Sequence, residues 1–309
     1  LYRTKVGIKF MDLAANKFSR SIRFFGHIGT AFGFIGMIFI FIAILLSAYK
    51  LAINESGAAG ASPVIPGLPI AGTGLVFPLI TGWIVIFLII VIHEFSHGIV
   101  ARAHNINIKN SGIAFFGPIL GAFVEPDEKK LSKKKDFAQH SVFAAGPFSN
   151  ILTVVLVMLI GMAILNPLGN LLSVSKGVII FSQPGLAAEK AGIGNNTLIV
   201  GINDKQISTI EDFRKVMEGI KPGEKIRIKS NETAYTLTTA ANPDDTSKSY
   251  LGVWVAGEKS ELRKNNAMNK MLFAMLKWTN QMFGWLAFLS LNIGLINLLP
   301  IFITDGARM

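Results

Sequence analysis

The sequence runs to 309 residues, 51% hydrophobic and 16% charged, with a mean hydropathy of +0.49 and a net charge of +11. That is too apolar for an ordinary soluble domain and requires several membrane spans; the positive charge reads as basic loops facing anionic lipid, so no nucleic-acid partner is expected. No cysteine is present, which excludes disulfides and thiolate ligands and leaves His, Asp and Glu for any zinc site.

Residues 1–26 carry Arg3, Lys5, Lys9, Lys17, Arg20 and Arg23, with Phe10, Leu13, Phe18, Ile22 and Phe25 at helical spacing. The pattern predicts a basic amphipathic helix on the membrane surface or, equally, a plain cytoplasmic leader. The apolar run that follows is too long for a cleavable signal. Gly26 to Tyr49 is the first expected span, and the Gly/Pro/Ala/Ser-rich stretch Lys50–Gly74, almost free of basic residues, an outside loop.

The second expected span, Leu75 to Ala103, holds WIVIFLIIVIHEFSHGIVARAH at Trp83–His104. A helix puts His93 and His97 on one face, one turn apart, with Glu94 beside them. Two imidazoles so placed can bind one Zn²⁺ while the carboxylate handles a proton on a water. Ionisable groups in a span are costly and rarely idle. Counting ~1.5 Å per residue from Pro78 puts His93 ~22 Å along the helix, inside a ~30 Å hydrocarbon layer but nearer its inner end. Arg102, Lys109, Lys129, Lys130, Lys133, Lys134 and Lys135 follow, marking that end as cytoplasmic.

Gly112–Pro126, GIAFFGPILGAFVEP, has two short apolar runs flanking Gly117-Pro118 and reads as a re-entrant hairpin, tolerable at membrane depth only if protein or a cavity satisfies its backbone. Phe137 to Leu165 is the third expected span, with GPFSN at Gly146–Asn150. From Lys176 to about Gly257 charges of both signs mix with short alternating runs at 177–181, 198–202, 225–229, 235–239 and 250–255, and helical patterns intervene at 185–191 and 209–219. This predicts a β-rich soluble domain inserted between spans, and the outward run of the third span places it outside. Ala267 to Leu299 is the fourth expected span, ending in NLLPIFITDG at Asn297–Gly306. The chain opens on Leu1 and stops just after this DG pair, so it reads as a fragment with room for a further span.

A catalytic zinc takes three protein ligands and keeps one open position. His104 shares the face of His93 and His97 but lies ~10 Å beyond His97 along the axis, out of reach of a bond of about 2 Å. Asp305 is the better candidate, at the same depth, where Pro300 and Gly306 loosen the helix; Glu125 is weaker. Asn150 and Asn297 are amides in spans and read either as interhelical hydrogen-bonding groups or as functional groups. In the functional reading Asn150 donates to an oxyanion or to the substrate backbone, while Asn297, with Gly117 at the hairpin turn, contacts substrate.

HEFSH in one span, GPFSN in the next and NLLPIFITDG in a later one resemble the site-2 protease family of intramembrane zinc metalloproteases, and FVEPDE at Phe123–Glu128 looks like its archaeal members. The segment GVIIFSQPGLAAEKAGIGNNTLIVGINDKQISTIEDF resembles a PDZ domain of the bacterial protease type. Thr304 stands where the family usually has Leu, and Asn195-Asn196 where it has Gly-Asp. The resemblance implies His93, His97 and Asp305 as Zn²⁺ ligands and Glu94 as general base. The expectation is then a polytopic α-helical membrane protein of about four transmembrane helices. Its parts are a basic segment at 1–26, membrane domain at 27–170 with the hairpin at 112–126, an outside PDZ-like domain at 176–257, and membrane domain again at 265–309. It would sit in the cell membrane, its active site toward the cytoplasm, cutting transmembrane protein substrates within the bilayer, with a peptide end at the PDZ-like domain. The alternative is a non-catalytic scaffold or receptor that uses that domain to bind peptides.

Overall fold

The computed structural model describes residues 2–53, 64–70, 76–116, 119–231, 233–243 and 245–309. They form two compact units, Leu1–Ile164 with Trp278–Met309, and Leu165–Lys277.

In the first unit strand β1 (Tyr2–Thr4) is followed by α1 (Ile8–Lys17), α2 (Ser19–Ala52) and α3 (Leu79–Ala103). The basic segment 1–26 is therefore not one surface helix. It breaks at Phe18, and its second half opens α2. Met11 and Ala15 of α1 are buried, against a core that includes Val100 and Ala101 of α3. Strands β2 (Ile108–Phe116) and β3 (Ile119–Pro126) pair antiparallel and take β1 on the β2 side, giving the order β1-β2-β3. The hairpin expected at 112–126 is thus present and longer; its turn residues Gly117 and Pro118 lie outside the described residues. A short α4 (Glu128–Leu131) leads into α5 (Asp136–Ile160), which continues through a π-turn at Gly161–Leu165 into α6 (Asn166–Leu172).

Helix α2 meets α5 through small residues. Gly29, Thr30 and Gly33 are buried, and the Thr30 and Ser141 hydroxyls lie 3.3 Å apart. This is close packing of the kind that stabilises helices where lipid supplies no hydrophobic drive. The rest of α2 exposes large apolar side chains such as Phe32, Ile35, Ile38, Phe39 and Leu46.

Among the described residues three helices are long and apolar enough to cross a membrane: Ser19–Ala52, Leu79–Ala103 and Asp136–Leu172. The chain is a membrane protein on this ground. The fourth expected span, α9 (Ala267–Ile296), forms as a 30-residue helix but is not among the three. Lys270, Lys277, Asn280, Gln281 and Asn292 dilute its apolar surface.

The second unit pairs β4 (Ser173–Ser182) with β5 (Thr197–Ile202), β7 (Lys225–Ser230), β8 (Ala234–Thr238) and β11 (Val253–Leu262) in the order β11-β4-β5-β7-β8, with β6 (Lys205–Gln206) on β5. Helices α7 (Ala187–Lys190) and α8 (Ile210–Glu218) accompany it, as does a small β9–β10 pair (Ala240–Ala241, Ser249–Tyr250). Every alternating run singled out in the sequence contributes to a strand. α8 starts at a capping box, in which the Thr209 hydroxyl accepts from the Asp212 N–H and the Asp212 carboxylate from the Thr209 N–H. The unit reaches beyond 176–257 on both sides, because β4 and β11 stay paired as far as Ser173 and Leu262. Their outer residues lack the apolar alternation that marks the central strands.

Candidate metal centre

On α3, Val85, Ile89, His93, His97 and Ala101 recur every four residues and all five are buried. A spacing of four keeps side chains on one ridge of a helix, so the histidines occupy the packed face and meet α5. What admits them there is Gly146: a Cβ at that position would collide with Nε2 of both His93 and His97. In the sequence Gly146 is only the first residue of GPFSN, and no local pattern marks it for this role.

Each imidazole is fixed from behind. Nδ1 of His97 lies 2.7 Å from the Val142 carbonyl oxygen of α5. A carbonyl only accepts, so Nδ1 carries the proton and Nε2 presents a lone pair. Nδ1 of His93 lies 3.3 Å from the Asn150 amide. Asn150 is fully buried and does not line the cavity in front of the histidines. The structure puts it behind His93.

Asp305 comes from the opposite end of the chain. After α9 the backbone turns through Leu298 and Leu299, both buried, and the Gly306 N–H returns to the Asn297 carbonyl at 2.8 Å. The Leu298 and Leu299 carbonyls press so close to Gly306 that a Cβ there would clash with them. Thr304 is buried and donates its hydroxyl to the carbonyls of Leu299 and Ile301. The hydroxyl thus ties down the turn that presents Asp305. Asn297 acts through its backbone, and among the described residues its side chain makes no hydrogen bond.

Oδ2 of Asp305 lies 3.0 Å from Nε2 of His93 and 3.3 Å from Nε2 of His97, and the two Nε2 atoms are 3.2 Å apart. Three lone-pair atoms converging so closely repel one another unless a cation lies between them. Tetrahedral coordination at metal–ligand distances of about 2.0–2.2 Å separates the ligand atoms by about 3.3 Å or slightly more. The residues therefore fit a metal ion: one ligand atom from each of the three, all within 4.8 Å of one another.

The other candidates lie elsewhere. Glu125 accepts from Asn110 Nδ2 at 3.0 Å and faces Arg3. His104 belongs to a separate basic cluster at the end of α3. Gly117 lies outside the described residues.

A cavity of about 170 Å³ opens beside the three ligand atoms, lined by Glu94, His97, Asp305, Val124, Phe143 and Arg308 among others. Oε2 of Glu94 accepts the Val124 N–H at 3.2 Å. Val124 pairs with Ser111 across the hairpin, and β2 is already flanked by β1. Its N–H leaves the hairpin on the open side of β3, so that edge faces the cavity. Sequence reasoning had no signal for which edge would.

A model of Peptidase family M50 matches residues 81–309, which take in both histidines, Glu94 and Asp305. The chain is also 30% identical over 310 residues to the uncharacterized protein MJ0971 of Methanocaldococcus jannaschii, covering 99% of this chain and 75% of that protein.

Proposed function

The chain belongs to peptidase family M50, the site-2 protease family, and from that premise we propose that it is a zinc metalloendopeptidase that cuts membrane-spanning substrates within the bilayer. The carrying observation is the convergence of Asp305 on His93 and His97, which stand with Glu94 on a helix apolar enough to cross a membrane. His93, His97 and Asp305 would hold the ion. When bound, Zn²⁺ supplies Lewis acidity, acidifying a water and polarising the scissile carbonyl.

The side chains do the rest. Glu94 takes the proton of the attacking water and returns it to the leaving amine. The Val124 N–H orients this carboxylate toward the cavity. Val142 and Asn150 hold the two imidazoles, so the site is formed before substrate arrives.

A helical substrate hides its amides and must unwind to be cut. The open edge of β3 supports substrate addition as a further strand, with β1 closing the opposite edge of the hairpin. In an antiparallel ladder the outward backbone groups recur every second residue, so Ala122 presents its backbone on the same edge as Val124, whose N–H stays with Glu94. α9 completes the membrane domain as a fourth span, and the loop basicity after α3 supports a cell-membrane protein with the metal centre toward the cytoplasm. The second unit, with its antiparallel sheet and two helices, supports a PDZ-like domain on the outer side that gates access or binds an exposed substrate end.

The test is metal analysis of the purified chain together with cleavage of a transmembrane test substrate, with and without chelator. Bound zinc, chelator-sensitive cleavage, and a Glu94→Gln variant that keeps zinc but loses ~10²–10⁴-fold in rate are expected. Full activity in Glu94→Gln would sink the catalytic reading. Metal without any proteolysis would favour a scaffold.

A further inference from the structure

A second cavity, of about 460 Å³, lies where three apolar helices end together: near the start of α2, just past the end of α3 and at the start of α5. Arg23, His27, His104, Lys134 and Lys135 line it, and no carboxylate does. Among the described residues none of these five makes an ion pair. Arg23 is anchored by its Nε–H to the Ala103 carbonyl at 2.7 Å, which leaves the rest of its guanidinium available. Nε2 of His104 is buried without a hydrogen-bond partner. The N-terminus of the 25-residue helix α5 opens here too, with Lys135 as N-cap and no side chain capping it. Phe137 lines the cavity and is half exposed, and Phe24 and Phe25 are exposed on α2 close to Arg23 in sequence.

Unpaired cations gathered around a cavity repel one another and ask for a counter-anion. A helix N-terminus adds unsatisfied N–H donors and a favourable dipole. Basic pockets between spans at the inner surface of a membrane recognise phosphate headgroups, and aromatic side chains belong at that depth. We propose that this basic cavity is a binding site for a phosphate-bearing anion, with Arg23, Lys134 and Lys135 contacting the phosphate oxygens and Phe137 at its apolar rim. The phosphate belongs either to the headgroup of an anionic lipid or to a free phosphate. After burial itself, Arg23, His27 and Lys134 hold the His104 pKa down, so a bound anion raises it.

The purified full chain in neutral detergent is titrated calorimetrically with dihexanoyl phosphatidate, dihexanoyl phosphatidylcholine and inorganic phosphate. Phosphatidate is expected to bind at least tenfold more tightly than phosphatidylcholine. The Lys134→Ala/Lys135→Ala variant loses at least tenfold in that affinity, Lys134→Arg/Lys135→Arg restores it, and Lys129→Ala/Lys130→Ala, changed on exposed α4 lysines, leaves it alone. Binding of phosphatidate without inorganic phosphate identifies a lipid; equal binding of both, with the same sensitivity to the variants, identifies a free phosphate. Equal affinity in wild type and Lys134→Ala/Lys135→Ala, with both folded by thermal melting, overturns the site. So does equal binding of phosphatidate and phosphatidylcholine. A downward or absent shift of the His104 titration on phosphatidate binding, read by NMR of labelled histidine, also counts against it.

Discussion

Asn150 on α5 and His93 on α3 meet with Nδ2 3.3 Å from Nδ1, and Oδ1 of the same amide is buried without a partner. An imidazole that offers Nε2 to a metal carries its proton on Nδ1 and needs an acceptor behind it. Turning the amide by 180° gives the orphaned Oδ1 that proton, so one flip satisfies both groups. The relationship makes Asn150 a positioning residue. Asn150→Ala is expected to weaken metal affinity roughly 10–100-fold, read by competition with a metal indicator, while Asn150→Asp retains an acceptor and keeps the metal. Unchanged affinity in Asn150→Ala would refute the role.

Gly146 makes a sharper prediction. Its Cβ would occupy the place where the two Nε2 atoms converge, so Gly146→Ala should displace at least one histidine and abolish both metal retention and cleavage. Gly161→Ala, at a glycine with open space around it, serves as the control. A metal-loaded, active Gly146→Ala protein would show that the helices part more readily than their packing implies.

Along β3, Ala122→Pro removes one outward N–H without touching a ligand. Cleavage should fall at least tenfold while bound metal stays stoichiometric, measured on the same preparation. Equal loss in a substrate that is already extended would be expected too, because strand addition needs the N–H in either case. Wild-type rates would sink the edge assignment.

Burial first, then Arg23, His27 and Lys134, lower the His104 pKa from 6.5 to about 4. The unfolded chain takes up this proton near pH 6.5 and the folded chain only near pH 4. Between those values the unfolded state binds more protons, so this contribution to stability is complete above about pH 6.5 and is lost as pH falls toward 4. His104→Phe should flatten the decline of thermal midpoint with falling pH in that window. Parallel wild-type and variant curves would remove His104 from the account.

The hydroxyl of Thr304 holds the turn that presents Asp305. Thr304→Val keeps the shape and leaves those two carbonyls without their donor, and loss of a buried hydrogen bond costs about 1–3 kcal/mol. Metal affinity should fall, while Thr304→Ser keeps it; identical affinities in the two variants would argue against this.

The sequence by itself determined the periodic features. The HEFSH spacing placed two imidazoles on one helical face, apolar runs marked the helices, and alternation marked the strands of the second unit, because each depends only on neighbours along the chain. The candidate Asp305 also emerged from sequence, through its position after a long apolar helix and between Pro300 and Gly306. Contacts between distant segments were decided only by the tertiary structure. Asp305 is 212 positions from His93, and nothing local says that a turn held by Thr304 and Gly306 brings its carboxylate to 3.0 Å. Nor does any local pattern say that Gly146 is the opening for the histidines, that Asn150 stands behind His93, or that β1 covers β2 and leaves β3 to face Glu94. Those are packing choices between helices and strands, settled by which side chains fit when the elements close on one another.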